Sequence, residues 1–102
     1  MGSWGLSDGS RLDNSVIDSR IRKAKEKKRK ELDYSRCCEE CNTNQGRIDQ
    51  SHIISVKECK ESGRSELAYT VLNIEQLCRG CHMEVESLSK EQREERFKER
   101  IT

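Results

Sequence analysis

Two pairs of cysteines in this 102-residue chain have the spacing of metal ligands. Each pair has the form C-x2-C, with Cys38 and Cys41 in the first pair and Cys78 and Cys81 in the second. A C-x2-C turn brings two thiolates to a common point, so two turns complete a tetrahedral site of the kind that structural zinc prefers. Gly80 suits the tight turn inside the second pair. We therefore predict one structural Zn²⁺ held by the four cysteines.

Other uses of the same thiols stay open at this point. A secreted chain would form disulfides from its six cysteines, and a C-x2-C pair can also be a redox centre. Cys37 can replace Cys38 with C-x3-C spacing, and His82 can complete a site of three cysteines and one histidine. Cys59 lies in a charged stretch that we interpret as a loop, and we predict that it is a free thiol.

The chain has two histidines, and both follow a cysteine pair closely. His52 lies in a β-branched stretch after the first pair, and His82 comes directly after Cys81. Asn73 lies between them, shortly before Cys78. An imidazole titrates near pH 6.5, so at neutral pH either ring can accept a proton or bind a cation.

This order of residues resembles the His-Asn-His endonuclease family, whose site is a ββα-metal motif. The resemblance covers residues 38–89 and is closest from Asn73 to His82 (NIEQLCRGCH). It implies that His52 is the general base, that Asn73 orients it, and that His82 binds a catalytic divalent cation, Mg²⁺, Mn²⁺ or Ni²⁺. Hydrolysis of a phosphodiester needs such a base and such a cation. The structural zinc is a separate ion, since four thiolates leave it no open position.

Two features depart from the family pattern. The commonest form of the family has an aspartate directly before the base histidine as a second metal ligand, and here that residue is Ser51. A hydroxyl is a poor ligand for Mg²⁺, and Asp49, on the same strand face by alternation, is the candidate to replace it. The residues after His82 are acidic where the family often carries lysine. In the competing interpretation, His52 is a half-buried strand residue without a catalytic role.

Basic residues are concentrated before the first cysteine pair. Residues 1–30 carry nine Lys/Arg against four Asp/Glu, whereas the rest of the chain is net acidic. A basic helix can follow a phosphate backbone with salt-dependent affinity, so we predict contact with DNA. The alternative is a solvated helix without a partner. The predicted nucleic-acid contacts are Arg20, Arg22, Lys23, Lys25, Lys27, Lys28, Arg29 and Lys30.

The composition limits the size of the core and the class of protein. Only 31% of the residues are hydrophobic, so a core this small needs a staple such as a metal. No stretch has the apolar length of a membrane span or of a signal peptide, so we expect no membrane contact and a reducing, intracellular location.

The sequence as a whole predicts a small α+β fold, a zinc-stabilised ββα-metal domain with flanking helices. We expect a disordered N-terminus over 1–15, a basic helical arm over 16–36 and the nuclease domain over 37–102. Within this last part we expect strands at 47–56 and 67–72 and a helix over 81–100 that breaks near Ser89, where Ser89 and Gln92 can form a capping box. The predicted function is metal-dependent hydrolysis of DNA. The alternatives are a non-catalytic zinc ribbon that binds nucleic acid or protein, and a protein-interaction domain with a protein partner.

Overall fold

A computed structural model describes residues 2–102, which form a small mixed α+β chain, as predicted. These residues contain two antiparallel sheets of two strands each, four α-helices and two short 3₁₀ helices. Among them, no helix is long and apolar enough to cross a membrane. In chain order the elements are β1 (Ser3–Gly5), β2 (Arg11–Asp13), α1 (Asn14–Glu31), β3 (Ile48–His52), α2 (Val56–Glu61), the 3₁₀ helices Ser65–Tyr69 and Val71–Asn73, β4 (Ile74–Cys78), α3 (Arg79–Glu86) and α4 (Lys90–Ile101).

The N-terminal segment forms a β-hairpin that packs on the rest of the chain. β1 and β2 pair antiparallel, with Trp4 opposite Leu12. Gly9, in the turn, has a φ of +88°, a conformation that glycine adopts at little cost. Trp4 and Leu12 both pack against the main core. The prediction of disorder over 1–15 is therefore wrong for residues 3–13. The segment is mostly polar, but its two apolar side chains anchor a hairpin on the core.

The basic segment is the helix α1, and one side of this helix is buried. The buried positions follow helical spacing, which makes them a single face of the helix; they are Ile17, Ile21, Ala24 and Lys28. Lys28 belongs to this face because its ammonium group donates a hydrogen bond to the Glu39 carboxylate at 2.8 Å, and its methylene groups are buried. The sequence predicted a basic arm separate from the domain over 37–102, and most residues of the helix are indeed exposed. Its buried face nevertheless packs into the main core of the chain. α1 is part of the folded unit.

β3 and β4 form an antiparallel pair, and α3 follows β4 directly and packs on both strands. The register places His52 opposite Ile74 and Ile48 opposite Cys78. The end of β3 therefore lies beside the beginning of β4, while α3 runs back across both strands. The first strand is shorter than predicted. The second is β4, since the segment 67–72 forms 3₁₀ turns that pack against α1 rather than a strand.

The main core lies between α1, α2 and α4. The stretch predicted as a loop after residue 56 contains α2, which Ser55 caps by accepting a hydrogen bond from the Glu58 amide at 3.1 Å. A second, smaller core surrounds the cysteine pairs and contains Leu77 and Val85. The buried residues of the main core are Ile17, Ile21, Ile53, Ile54, Cys59, Ala68 and Phe97.

The last helix begins at the predicted break. Ser89 and Gln92 form the capping box, so the predicted separation of α3 from α4 is confirmed. α4 is fixed to β4 through Glu75, a buried carboxylate that accepts two hydrogen bonds from Arg96, at 3.0 and 2.8 Å, and one from Arg100, at 3.3 Å. Pairing with two guanidinium groups offsets the cost of burying this charge.

Candidate metal and catalytic site

The two C-x2-C turns have the same local geometry. In each turn the amide of the second cysteine points at the sulphur of the first, with 3.5 Å from Cys41 N to Cys38 Sγ and 3.5 Å from Cys81 N to Cys78 Sγ. The second turn is also the beginning of α3, since Cys78 is the N-cap of that helix. Amide donors aimed at sulphur favour the thiolate, the form that binds metal ions.

The sulphur atoms of the four predicted ligands lie together. All four are within 4.8 Å of one another, and the sulphurs of Cys41 and Cys78 are 3.7 Å apart. Within residues 2–102, no other group of three or more His, Cys, Asp or Glu side chains is placed to hold a metal ion. The alternative ligands, Cys37 and His82, lie outside this group. The four cysteines can therefore hold one metal ion, as predicted.

The protonation of these thiols also favours a bound cation. Burial acts to raise the pKa of Cys38, but backbone hydrogen bonds, led by that of the Cys41 amide, lower this pKa to about 6. A hydrogen bond with Cys78 raises the pKa of Cys81. Thiolates this close repel one another, so they do not all ionise without a positive ion between them.

Cys59 lies apart from the cluster. It is a free thiol, as predicted, but it is fully buried on α2 rather than in a loop. Its sulphur lies 3.6 Å from the Ile54 carbonyl oxygen, and burial raises its pKa to about 12. A thiol with so high a pKa is a small core side chain and is not a nucleophile at neutral pH.

His52 is the last residue of β3, and its ring is half-buried. Nε2 lies 2.8 Å from the carbonyl oxygen of Ala68. A carbonyl oxygen accepts only, so Nε2 carries the ring proton and Nδ1 keeps its lone pair. Burial lowers the pKa of His52 below its ordinary value of 6.5, although the Ala68 carbonyl acts in the opposite direction. His52 is therefore neutral at pH 7, with one nitrogen able to accept a proton.

Asn73 is fully buried and holds the chain that follows His52. Its Oδ1 accepts from the Ile54 amide at 2.8 Å, and its Nδ2 donates to the carbonyls of Ile54, at 3.0 Å, and Leu67, at 2.9 Å. Its own carbonyl accepts from the Ile53 amide at 2.9 Å. These bonds fix the end of β3 against the segment that carries Ala68, and therefore fix the direction of the His52 ring.

His82, in the first half of α3, lies between two carboxylates. Its Nδ1 is 3.6 Å from Asp49 Oδ2 and its Nε2 is 3.1 Å from Glu86 Oε1. Asp49 comes from β3, and Glu86 lies one helical turn beyond His82. The imidazole thus links α3 to β3 through Asp49, and it has a carboxylate beside each of its two nitrogens.

The two candidates for the second catalytic ligand differ in their surroundings. Asp49 is ion-paired with Arg47 at 2.8 Å, and this hydrogen bond lowers the pKa of the Asp49 carboxyl. Ser51 is buried on β3, opposite Glu75. Of the two, Asp49 is therefore the one that offers an ionised oxygen close to His82.

His52 and His82 line one cavity. It has a volume of about 470 Å³ and lies between the end of β3 and α3. Ser51, Glu86 and Arg93 also line it. The structure therefore brings the two predicted catalytic histidines to the same space, although they are thirty residues apart in the sequence.

A larger groove of about 830 Å³ adjoins this cavity, and His82 and Gln50 line both. Its basic side chains are Lys25, Arg29, Arg36 and Arg47, and its one carboxylate is that of Asp49. Tyr34 and Asn44 add aromatic and polar surface. The groove is therefore positively charged along most of its length.

The predicted basic contacts lie in different surroundings. Lys28 is buried in its ion pair with Glu39, and the Arg20 guanidinium lies 5.3 Å from the centroid of the Tyr69 ring. Lys25 and Arg29 line the groove. Arg36 and Arg47 line it too, although the sequence did not mark them as contacts. The remaining predicted residues are all exposed on α1: Arg22, Lys23, Lys27 and Lys30.

No protein-family model matches the chain, and neither a curated protein nor a solved structure is significantly similar to it. The resemblance to the His-Asn-His family therefore depends on the motif residues of the sequence.

Sequence reasoning also passed over Glu86, which approaches the imidazole of His82 more closely than Asp49 does. A signal for it was present, because residues four apart on a helix lie on the same face.

Proposed function

We propose that this chain is a zinc-stabilised, metal-dependent endonuclease of the His-Asn-His type that hydrolyses phosphodiester bonds in DNA. The observation that carries the proposal is the cavity that His52 and His82 share, beside a groove lined by basic side chains. His52 comes from β3 and His82 from α3, and a strand histidine and a helix histidine that line one cavity support a ββα-metal site.

Zinc is the proposed ion of the four-cysteine site. Zn–S bonds of about 2.3 Å in a tetrahedron place the sulphurs about 3.8 Å apart. The sulphurs of Cys41 and Cys78 lie 3.7 Å apart, which agrees with this spacing. Zinc at this position links the turn before β3 to the beginning of α3, so its binding stabilises the scaffold on which both histidines lie.

In the proposed reaction His52 acts as the general base. Its Nδ1 takes a proton from the attacking water, while Nε2–H stays bonded to the Ala68 carbonyl and stabilises the imidazolium that forms. Asn73 keeps the ring in this direction through the chain segment that it holds. When bound at His82, a divalent cation such as Mg²⁺, Mn²⁺ or Ni²⁺ supplies positive charge where negative charge develops on the phosphate.

The proposed path of the substrate is the groove along the C-terminal half of α1. Arg29, Arg36 and Arg47 line it and lead towards Asp49 and His82. A phosphate backbone in this groove gains favourable contacts by releasing counterions, with little dependence on base sequence. The groove therefore accounts for binding, and the adjoining cavity for cleavage.

A cleavage assay on supercoiled plasmid tests the proposal. Zinc-loaded protein is incubated with Mg²⁺, Mn²⁺, Ni²⁺ or EDTA, and a His82→Ala variant purified in parallel serves as the control for contaminating nucleases. We expect nicked or linear plasmid with at least one of the cations, and none with EDTA or with the variant. Equal cleavage by parent and variant, or none with any cation, contradicts an endonuclease.

A non-catalytic zinc module that binds nucleic acid is the second candidate, and the basic groove favours it equally. In this candidate the imidazoles of His52 and His82 have no shared catalytic role. Salt-dependent DNA binding by a protein that cuts with none of the cations is the result that this candidate predicts.

A further inference from the structure

We infer that Glu86 binds the catalytic cation together with His82 Nε2, and that Asp49 positions the His82 ring from its other side. This inference rests on the proposed function and assigns the carboxylate that replaces the missing aspartate before His52. Neither the motif nor the resemblance points to Glu86.

The spacing of the two donor atoms fits one cation. His82 Nε2 and Glu86 Oε1 are 3.1 Å apart. Neighbouring ligands in an octahedral shell with bonds of about 2.1 Å are separated by about 3.0 Å. The separation of the two atoms therefore fits adjacent ligands of a single Mg²⁺ or Mn²⁺.

The helix holds both donors on the side of the proposed chemistry. His82 and Glu86 are four residues apart on α3, and both line the cavity that contains His52. Arg93 donates a hydrogen bond to the Glu86 carbonyl at 2.7 Å and so fixes the end of the helix. The side chain of Glu86 remains 63% exposed, which leaves room for the waters that Mg²⁺ and Mn²⁺ retain.

Asp49 lies on the opposite nitrogen and cannot share this cation. The two ring nitrogens of an imidazole point away from each other, and Asp49 Oδ2 approaches Nδ1, at 3.6 Å. This separation is longer than a hydrogen bond, so Asp49 acts on the ring through its charge. A carboxylate on this side of a metal-binding histidine favours the tautomer with its proton on Nδ1 and raises the basicity of the ligand. Asp49 is itself held by Arg47 at 2.8 Å. Asp49 is therefore a positioning residue.

The test measures cation binding directly rather than activity. Mn²⁺ is titrated into zinc-loaded protein, and binding is followed by calorimetry and by the loss of the free Mn²⁺ signal in electron paramagnetic resonance. We expect Glu86→Gln to weaken Mn²⁺ binding by at least about 100-fold. Glu84→Gln removes the same charge from an exposed residue of the same helix, so it is the matched control and should leave Mn²⁺ binding unchanged.

A second pair of variants separates the ligand from the positioning residue. Glu86→His supplies nitrogen in place of oxygen, so it is expected to shift the preference of the site from Mn²⁺ towards Ni²⁺. Asp49→His is expected to weaken both ions without changing their order, because Asp49 does not contact the cation. A shift in preference with Asp49→His and none with Glu86→His overturns the inference.

Failure of this inference differs from failure of the proposed function. If the parent cuts plasmid and binds Mn²⁺ through His82, but Glu86→Gln binds Mn²⁺ as the parent does, the inference alone is wrong. If the parent binds no cation besides its zinc and cuts nothing, the proposed function fails and the inference fails with it.

Discussion

Replacing Asn73 by alanine is expected to destabilise the whole chain as well as the proposed catalytic site. The family resemblance gives this residue the task of orienting His52, which alone predicts a loss of activity. In the structure its side chain is fully buried and makes three hydrogen bonds to backbone groups of Ile54 and Leu67. No water can replace the amide at such a position without entering the core.

The size of the effect follows from these bonds. A hydrogen bond contributes about 1 kcal/mol net, and a buried backbone group left without a partner costs about 1–3 kcal/mol. Removing the Asn73 side-chain amide deprives one N–H and two carbonyls of this hydrogen-bond partner, so we expect the free energy of unfolding to fall by about 3–5 kcal/mol. A chain of this length has a total unfolding free energy of roughly 5–15 kcal/mol. The variant therefore loses a large share of its stability.

Urea unfolding of the zinc-loaded protein, followed by circular dichroism, measures this loss. Asn73→Ala should unfold at a clearly lower urea concentration with an unchanged m-value. Asn44→Ala is the matched control, because Asn44 is exposed and lies outside the core. An Asn73→Ala protein that unfolds at the same urea concentration as the parent would show that the amide does not hold the segment after His52.

Three further predictions concern the metal, the groove and the base. Elemental analysis should find one tightly bound zinc per chain, and removing this zinc with a strong chelator should abolish cooperative unfolding. A metal-free protein that still unfolds cooperatively contradicts a structural role for the four-cysteine site. Arg29→Glu and Arg36→Glu should each weaken DNA binding and reduce the slope of log K against log salt by about 0.9. Arg22 lies outside the groove, so Arg22→Glu should change the affinity and the slope less. Equal effects of all three variants contradict the groove as the DNA-binding surface. Because burial lowers the pKa of His52 and the neutral ring is the base, the cleavage rate should fall only below pH 6.5, and a rate that already falls above that pH contradicts this assignment.

The parts of the fold that the sequence predicted correctly depend on local chemistry. Two C-x2-C turns can meet only around a common point, so the cysteine cluster follows from spacing. The break at Ser89 follows from the side chains of Ser89 and Gln92 alone. The same reasoning applied to Ser55 and Glu58, an S-x-x-E pattern, would have predicted α2, and Asp8-Gly9 would have predicted the turn of the N-terminal hairpin.

The parts that the sequence did not predict depend on tertiary packing. The apolar pattern alone does not show the buried face of α1, because Lys28 occupies one of its positions and only the ion pair with Glu39 makes that burial possible. Residues 67–72 have the composition of a strand, yet they pack against α1 as 3₁₀ turns. Since α1 contributes Ile17 and Ile21 to the core, a protein without residues 1–33 would not isolate the charge effect of the basic segment.

For the candidate site, the motif marks the candidate residues, but it does not predict which groups those residues contact. His52, Asn73 and His82 follow from the pattern, whereas the Ala68 carbonyl on His52 and the position of Glu86 depend on side-chain directions that the sequence does not encode locally. The groove residues Arg36 and Arg47 were missed because the basic run before the first cysteine pair dominated the charge pattern.

The rate of plasmid cleavage by His52→Ala protein tests the central claim most directly. The measurement uses enzyme in excess over DNA, and zinc content and DNA affinity are checked to equal those of the parent, since His52 lies outside both the cysteine cluster and the basic groove. If His52 is the general base, the rate should fall by about 10²–10⁴. A variant that cuts as fast as the parent, under conditions in which EDTA stops both, would contradict that claim.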